Sequence, residues 1–178
     1  MSSIELLLPA QPFPISYYYL TPDDHKKIQD FCRMSGDKES GLVNQYVRGF
    51  ISLHRDYYLA LASLDARYRG LSSEKWVDII LAKGMKGMPD YQEQPNGDEF
   101  PKNPLSHIIA PAGDDKVMRS LNFITLGAHN FAFLHVGIFY DQGGIAGYVS
   151  RIIREHIIRR WDTSYVPQIE AAKSKKWF

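Results

Sequence analysis

Cysteine is nearly absent from this chain of 178 residues: Cys32 stands alone. One thiol excludes an intrachain disulfide framework, a CxxC redox pair and a thiolate zinc site, and it fits a reducing, cytoplasmic setting. Excess charge is also missing. Lys and Arg number 21 against 20 Asp and Glu, a formal net charge of +1, so overall charge does not mark a nucleic-acid binder. The distribution is uneven: residues 119–178 carry 8 basic and 4 acidic side chains, which makes the last third mildly basic. The opening stretch, MSSIELLLPAQPFPI, has no basic leader, and its apolar run is too short for a signal peptide. Leu121 to Tyr140, LNFITLGAHNFAFLHVGIFY, contains no Lys, Arg, Asp or Glu and is long enough to span a bilayer. Asn122, Thr125, His129, Asn130 and His135 lie inside it, however, and each is costly in lipid, so a buried element is expected and no membrane partner.

Catalytic patterns are lacking too. There is no GxSxG elbow, P-loop, HExxH or dinucleotide-binding glycine pattern, and the carboxylates are scattered. His129 and His135 are six apart and fall on different helix faces. His25 and Cys32, seven apart, share a face but have no further ligands. The expectation is a non-enzyme with no metal and no cofactor.

What is present is a core. Hydrophobic residues make up 44% of the chain, with 11 Tyr and 9 Phe, a composition that argues against disorder. Ile15–Leu20 is aromatic-rich and short, as a strand is. Thr21, Pro22, Asp23 and Asp24 then form a helix start: a capping hydroxyl, a proline at the first position and two carboxylates at the positive end. That helix should run to about Ser35 and stop at Gly36. A second, from about Lys38, keeps apolar spacing through Val43, Val47, Phe50, Tyr57, Leu61 and Tyr68 to about Arg69. Ser73 caps a short helix bearing Trp76. Residues 84–113 hold five of the ten prolines and read as a long irregular connection. Leu121–Leu126 is strand-like again, Gly127–Tyr140 reads as a buried helix, and Ile145 to about Tyr165 as an amphipathic one interrupted at Pro167.

Both ends of the chain thus run strand, helix, turn, helix. At a fixed offset of 106, residues 15–51 lie over 121–157 without a gap: Leu20 on Leu126, Ile28 on Leu134, Gly41 on Gly147, Val43 on Val149, Val47 on Ile153, Arg48 on Arg154 and Ile51 on Ile157. The shared apolar pattern in a shared order, more than identity, marks a repeat. One domain is expected over 1–178: copy one 15–69, a connecting helix and linker 70–118, copy two 121–166 and a tail 167–178.

The stretch ISYYYLTPDDHKKIQDFCRMSGDKESGLVNQYVRGFI resembles the ribbon-helix-helix unit of the MetJ/Arc/CopG class, and residues 121–157 resemble it more loosely. The resemblance implies a mainly α fold with a small two-stranded antiparallel β-ribbon. Members of that class are dimers, because one strand and two helices cannot bury enough surface alone. Two copies in one chain imply a single-chain pseudo-dimer, Ile15–Leu20 paired with Leu121–Leu126, with assembly into a homo-oligomer of such units open. In the class, Leu before the cap points inward. That places Ser16, Tyr18 and Leu20 inward with Asn122, Ile124 and Leu126, and Ile15, Tyr17 and Tyr19 outward with Leu121, Phe123 and Thr125. DNA-binding members read bases with polar or basic outward residues, whereas here the ribbon residues are Tyr17, Tyr19, Phe123 and Thr125. The second-helix N-termini, where members hold phosphate, offer Lys38 and Ser40 in one copy and Gly143 and Gly144 in the other. Two functions follow: a transcriptional regulator binding double-stranded DNA, or a protein-interaction module whose aromatic ribbon no longer reads DNA.

Overall fold

A computed structural model of the chain describes residues 12–13, 16–109, 111, 113–121, 124–139 and 144–174. Most of these residues are helical. The strands are β1 (Pro12–Phe13), β2 (Ser16–Leu20), β3 (Val117–Leu121) and β4 (Ile124–Thr125). β2 runs antiparallel to β3, from Ser16 opposite Leu121 to Leu20 opposite Val117. β1 runs antiparallel to β4, with Pro12 opposite Thr125 and Phe13 opposite Ile124. Three positions separate Phe13 from Ser16 and Leu121 from Ile124, so both ladders keep one register. Residues 12–20 and 117–125 meet in this ribbon.

The partner of Ser16–Leu20 is therefore Val117–Leu121, upstream of the Leu121–Leu126 segment expected from the sequence. Burial explains the choice. Tyr18 and Leu20 are fully buried, and burying two such side chains contributes about 2 kcal/mol each. Residues directly opposite share a face. Leu121 faces Ser16 and is also fully buried, whereas the 106-residue offset sets it outward, over Ile15. Two equivalent strands related by a twofold axis would pair positions of the same parity, because the axis leaves each side chain on its own face. Ser16 against the counterpart of Ile15 is one residue away from that condition.

The helices follow the offset more closely. α1 (Pro22–Ser35) is capped by Thr21, whose Oγ1 accepts from the Asp24 N–H at 3.1 Å, and it ends on Gly36 at φ 80°, a left-handed conformation that suits glycine. α2 (Glu39–Leu53) buries Ser40, Leu42, Val43, Asn44, Tyr46, Val47, Phe50 and Ile51. Moved by 106, all but one fall on buried residues of α6 (Gly144–Arg160): Ala146, Tyr148, Val149, Ser150, Ile152, Ile153 and Ile157. The exception is Phe50, whose counterpart His156 is half-buried. In α5 (Leu126–Phe139), the counterparts of buried Asp24 and Ile28 are buried Asn130 and Leu134.

The helix expected to continue to Arg69 breaks at His54 (φ −102°, ψ 38°), after which α3 (Arg55–Tyr68) begins. The His54 ring lies 4.1 Å from the Phe50 ring, and its Nδ1 donates to the Phe50 carbonyl at 2.9 Å, a local bond that competes with helix geometry. α4 (Ser73–Lys83) is capped by Ser72, one residue earlier than expected, through the Lys75 N–H at 3.1 Å. After α6 a π-turn, Trp161–Tyr165, leads into α7 (Val166–Ser174). Pro167 sits in the first turn of α7, where its missing N–H costs nothing, so it opens a helix rather than interrupting one.

The connection after α4 is docked on α3 and α4. Asp65, fully buried, accepts from Arg69 Nε at 2.7 Å, Trp76 Nε1 at 2.9 Å and the Tyr91 hydroxyl at 2.6 Å. Arg69 also donates to the Pro89 carbonyl at 2.7 Å and lies 4.1 Å over the Tyr91 ring. Farther on, Arg67 pairs with Glu99 at 2.9 Å, Phe100 stacks on Tyr68 at 5.9 Å, and Leu105 and Ile108 are buried. Beneath the ribbon the core holds a polar knot. The Tyr58 and Tyr148 hydroxyls are hydrogen-bonded, and the fully buried His135 ring lies 4.7 Å from that of Tyr148.

Candidate interaction surface

The alternation of β2 sends Tyr17 and Tyr19 away from the core. Tyr17 is 49% exposed, Tyr19 is partly covered, and their rings meet edge-on at 5.7 Å. Across the ribbon Tyr17 faces Ser120 and Tyr19 faces Met118, both exposed, Met118 at 63%. Lys116, just before β3, places its ammonium 4.7 Å over the Tyr19 ring, within cation–π range. Among the described residues the outward face is thus two tyrosines, a methionine, a serine and one lysine. α6 backs it: the Ser150 hydroxyl accepts from the Tyr19 N–H at 2.9 Å and donates to the Ala146 carbonyl at 2.8 Å. The Tyr19 N–H is satisfied there, and β2 is held to α6.

Two ion pairs and one histidine contact rim this region. Arg119 Nε donates to Glu39 at 2.7 Å, His25 Nε2 lies 3.5 Å from the same carboxylate, and Arg154 donates to Asp24 at 2.7 Å. Asp24 is only 1% exposed, so a guanidinium from α6 compensates a buried carboxylate of α1. Tyr18 turns its hydroxyl toward Glu39; burial first, then that carboxylate, hold the phenol protonated far above its usual range. The same two causes, with Asp37, push the Cys32 thiol up to about 11.

These contacts decide the expected phosphate positions. Lys38 is the exposed N-cap of α2 and gives no side-chain cap. Ser40 is turned inward, buried, its hydroxyl 3.5 Å from the Ser120 carbonyl. Glu39 occupies the first turn between them, so a carboxylate stands where an anion would bind. Gly144, at φ 59°, opens α6; Gly143 lies outside the described residues. Thr125 is in β4 opposite Pro12, with its side chain outside the described set, and Phe123 and Ile15 are outside it as well. The structure therefore joins Tyr17 and Tyr19, turns Ser40 inward against the Ser120 carbonyl, and adds Lys116, Met118 and Ser120 to the face. The sequence hides those three: VMRSL has no clean apolar alternation, and only pairing with β2 makes it a strand. The arginines of α6 do not form one basic face, since Arg154 is tied to Asp24 and Arg159 to Glu155 at 2.9 Å.

Among the described residues, no helix is long and apolar enough to cross a membrane, and no three His, Cys, Asp or Glu side chains converge as a metal site. Compared with known proteins, the chain matches no family model, no curated protein and no solved structure.

Proposed function

We propose that this chain is a non-enzymatic protein-interaction module, built as two divergent ribbon-helix-helix copies, whose contact surface is the outward face of the ribbon. The observation that carries the reading is the clustering of exposed Tyr17 and exposed Met118, which face Ser120 and Tyr19 across the ribbon, with β2 fastened to α6. Tyr and Met are enriched at the centres of protein interfaces, and a backed ribbon presents them with little ordering cost. The matching burial of α2 and α6 supports the two-copy reading. The off-parity ribbon register departs from the twofold pairing that two equivalent copies would make. The lone, largely covered thiol supports placing the module in the cytoplasm.

Lys116 and Ser120 favour duplex DNA as the second reading, because they add a cation and a hydroxyl to the face. Against it stand the Glu39 carboxylate at the α2 N-terminus and the absence of Arg, Asn or Gln from the outward positions named above.

The test is affinity capture by the wild-type chain and by Tyr17→Ala/Met118→Ser, followed by titration of each purified captured protein. Both positions are exposed, so the variant should melt within a few degrees of wild type. The expected result is a partner whose affinity falls about tenfold or more in the variant. Tight binding of a mixed-sequence duplex at low salt, weakening steeply as salt rises and lost in the variant, would replace this reading with the DNA one.

A further inference from the structure

We propose that the cleft between the C-terminal halves of α2 and α6 binds a small aromatic carboxylate that also carries a hydroxyl or amino group. This site is separate from the ribbon face, and neither proposal depends on the other. The cleft has a volume of about 590 Å³ and opens to solvent, within the size range of small-molecule sites.

Its chemistry is uneven in an informative way. The floor is aromatic: Tyr46 stacks on His156 at 3.8 Å, and Phe31 stacks on Tyr165 at 4.3 Å. Phe50 lines the same space. A flat apolar body has rings to lie against. At one rim stands Arg160, exposed and without an ion-pair partner among the described residues, while its neighbour Arg159 is taken up by Glu155. Glu155 spends Oε1 on that pair; its Oε2 is buried and accepts no hydrogen bond from any described residue. A buried carboxylate oxygen without a donor is costly, and a donor on a ligand would remove the cost.

Arg160 thus calls for an anionic end and Glu155 for a donor. His156 supplies no charge of its own. Burial, and then Arg159 and Arg160, lower its basicity to about 4, and its Nε2 is hydrogen-bonded to the Tyr165 hydroxyl. Arg160 disfavours a cationic ligand, and the carboxylates of Asp37 and Glu155 on the same lining disfavour a polyphosphate.

Gly49 makes the proposal testable. It lines the cleft, and a Cβ built there meets no atom within 4 Å. Gly49→Phe should fill the cleft and also remove a poor helix former, so the fold is expected to melt no lower than wild type. The experiment titrates 4-hydroxybenzoate, benzoate and 4-hydroxybenzyl alcohol into the full chain, followed by two-dimensional amide NMR. The expected result is saturable 4-hydroxybenzoate binding with a Kd of about 1 mM or tighter and shifts centred on Tyr46, Gly49 and Glu155. Benzoate and the alcohol should each bind more weakly. Arg160→Gln should weaken 4-hydroxybenzoate about tenfold, and Gly49→Phe should abolish its binding. No saturable shift with 4-hydroxybenzoate up to about 10 mM, or binding unchanged in both variants, would overturn the proposal.

Discussion

His156 sits where three elements meet. It stacks on Tyr46 of α2, rises from α6 and is hydrogen-bonded to Tyr165 of the π-turn. Its folded pKa of about 4 lies below the ordinary value of 6.5, with burial the larger cause and Arg159 and Arg160 the lesser. In the unfolded chain the ring binds a proton as pH falls through about 6.5, whereas in the folded chain it does so only near 4. Between those values the unfolded state holds more protons, so the stability contributed by a neutral His156 is complete above about pH 6.5 and is lost as pH falls toward 4. Thermal melts of wild type and His156→Phe from pH 4 to pH 7.5 check this. Phe keeps a ring against Tyr46 and cannot titrate, so the fall in Tm across that window should be shallower in the variant. An equal fall in both proteins would contradict the assignment.

At the scale of elements, the connection from Met85 to Ile109 behaves as a strap held by one carboxylate. Asp65 gathers donors from α3, α4 and the strap itself, and Arg69 carries the contact on to Pro89. Asp65→Ala would leave the Trp76 N–H and a guanidinium without their acceptor. The expected loss is about 3 kcal/mol by urea denaturation, with earlier proteolytic cleavage in the strap than elsewhere. A loss of a few tenths would mean that the strap is held by Phe100, Leu105 and Ile108 instead. Little of this was legible in the sequence. Gly, Pro and Asn announced an irregular segment, but nothing local says that Asp65 is its anchor, because the donors come from 4, 11 and 26 residues away. Although α4 is capped by Ser72, one residue before the expected Ser73, the caps at Thr21 and Gly36 were legible, since each acts within one turn of where it stands. The break at His54 and the π-turn were not. The first rests on a side chain folding back onto Phe50, and the second on where Tyr165 must reach.

Across the whole molecule, residues 12–20 and 117–125 complete one another. The ribbon-helix-helix resemblance set Tyr18 and Leu20 inward, and both are buried; that they share a face follows from alternation, which is local. Register is not local. The fixed offset that aligns α2 with α6 places Leu121 outward, and the fold buries it, since sliding one strand by one residue exchanges its faces. The contact surface depends on the register, for the observed ladder sets Tyr17 opposite Ser120 and Tyr19 opposite Met118, whereas an end-to-end pairing of Ile15–Leu20 with Leu121–Leu126 would set Tyr17 opposite Ile124.

The ribbon's register is therefore the claim to test, and engineered disulfides test it most directly. In a Cys32→Ala background, Tyr17→Cys/Ser120→Cys joins positions directly across the ladder, while Tyr17→Cys/Ile124→Cys joins those paired if Ile15–Leu20 met Leu121–Leu126 end to end. Oxidation and non-reducing electrophoresis should show a rapid intrachain bond in the first pair and none in the second. A bond in the second pair alone, or crosslinks only between chains, would contradict the account.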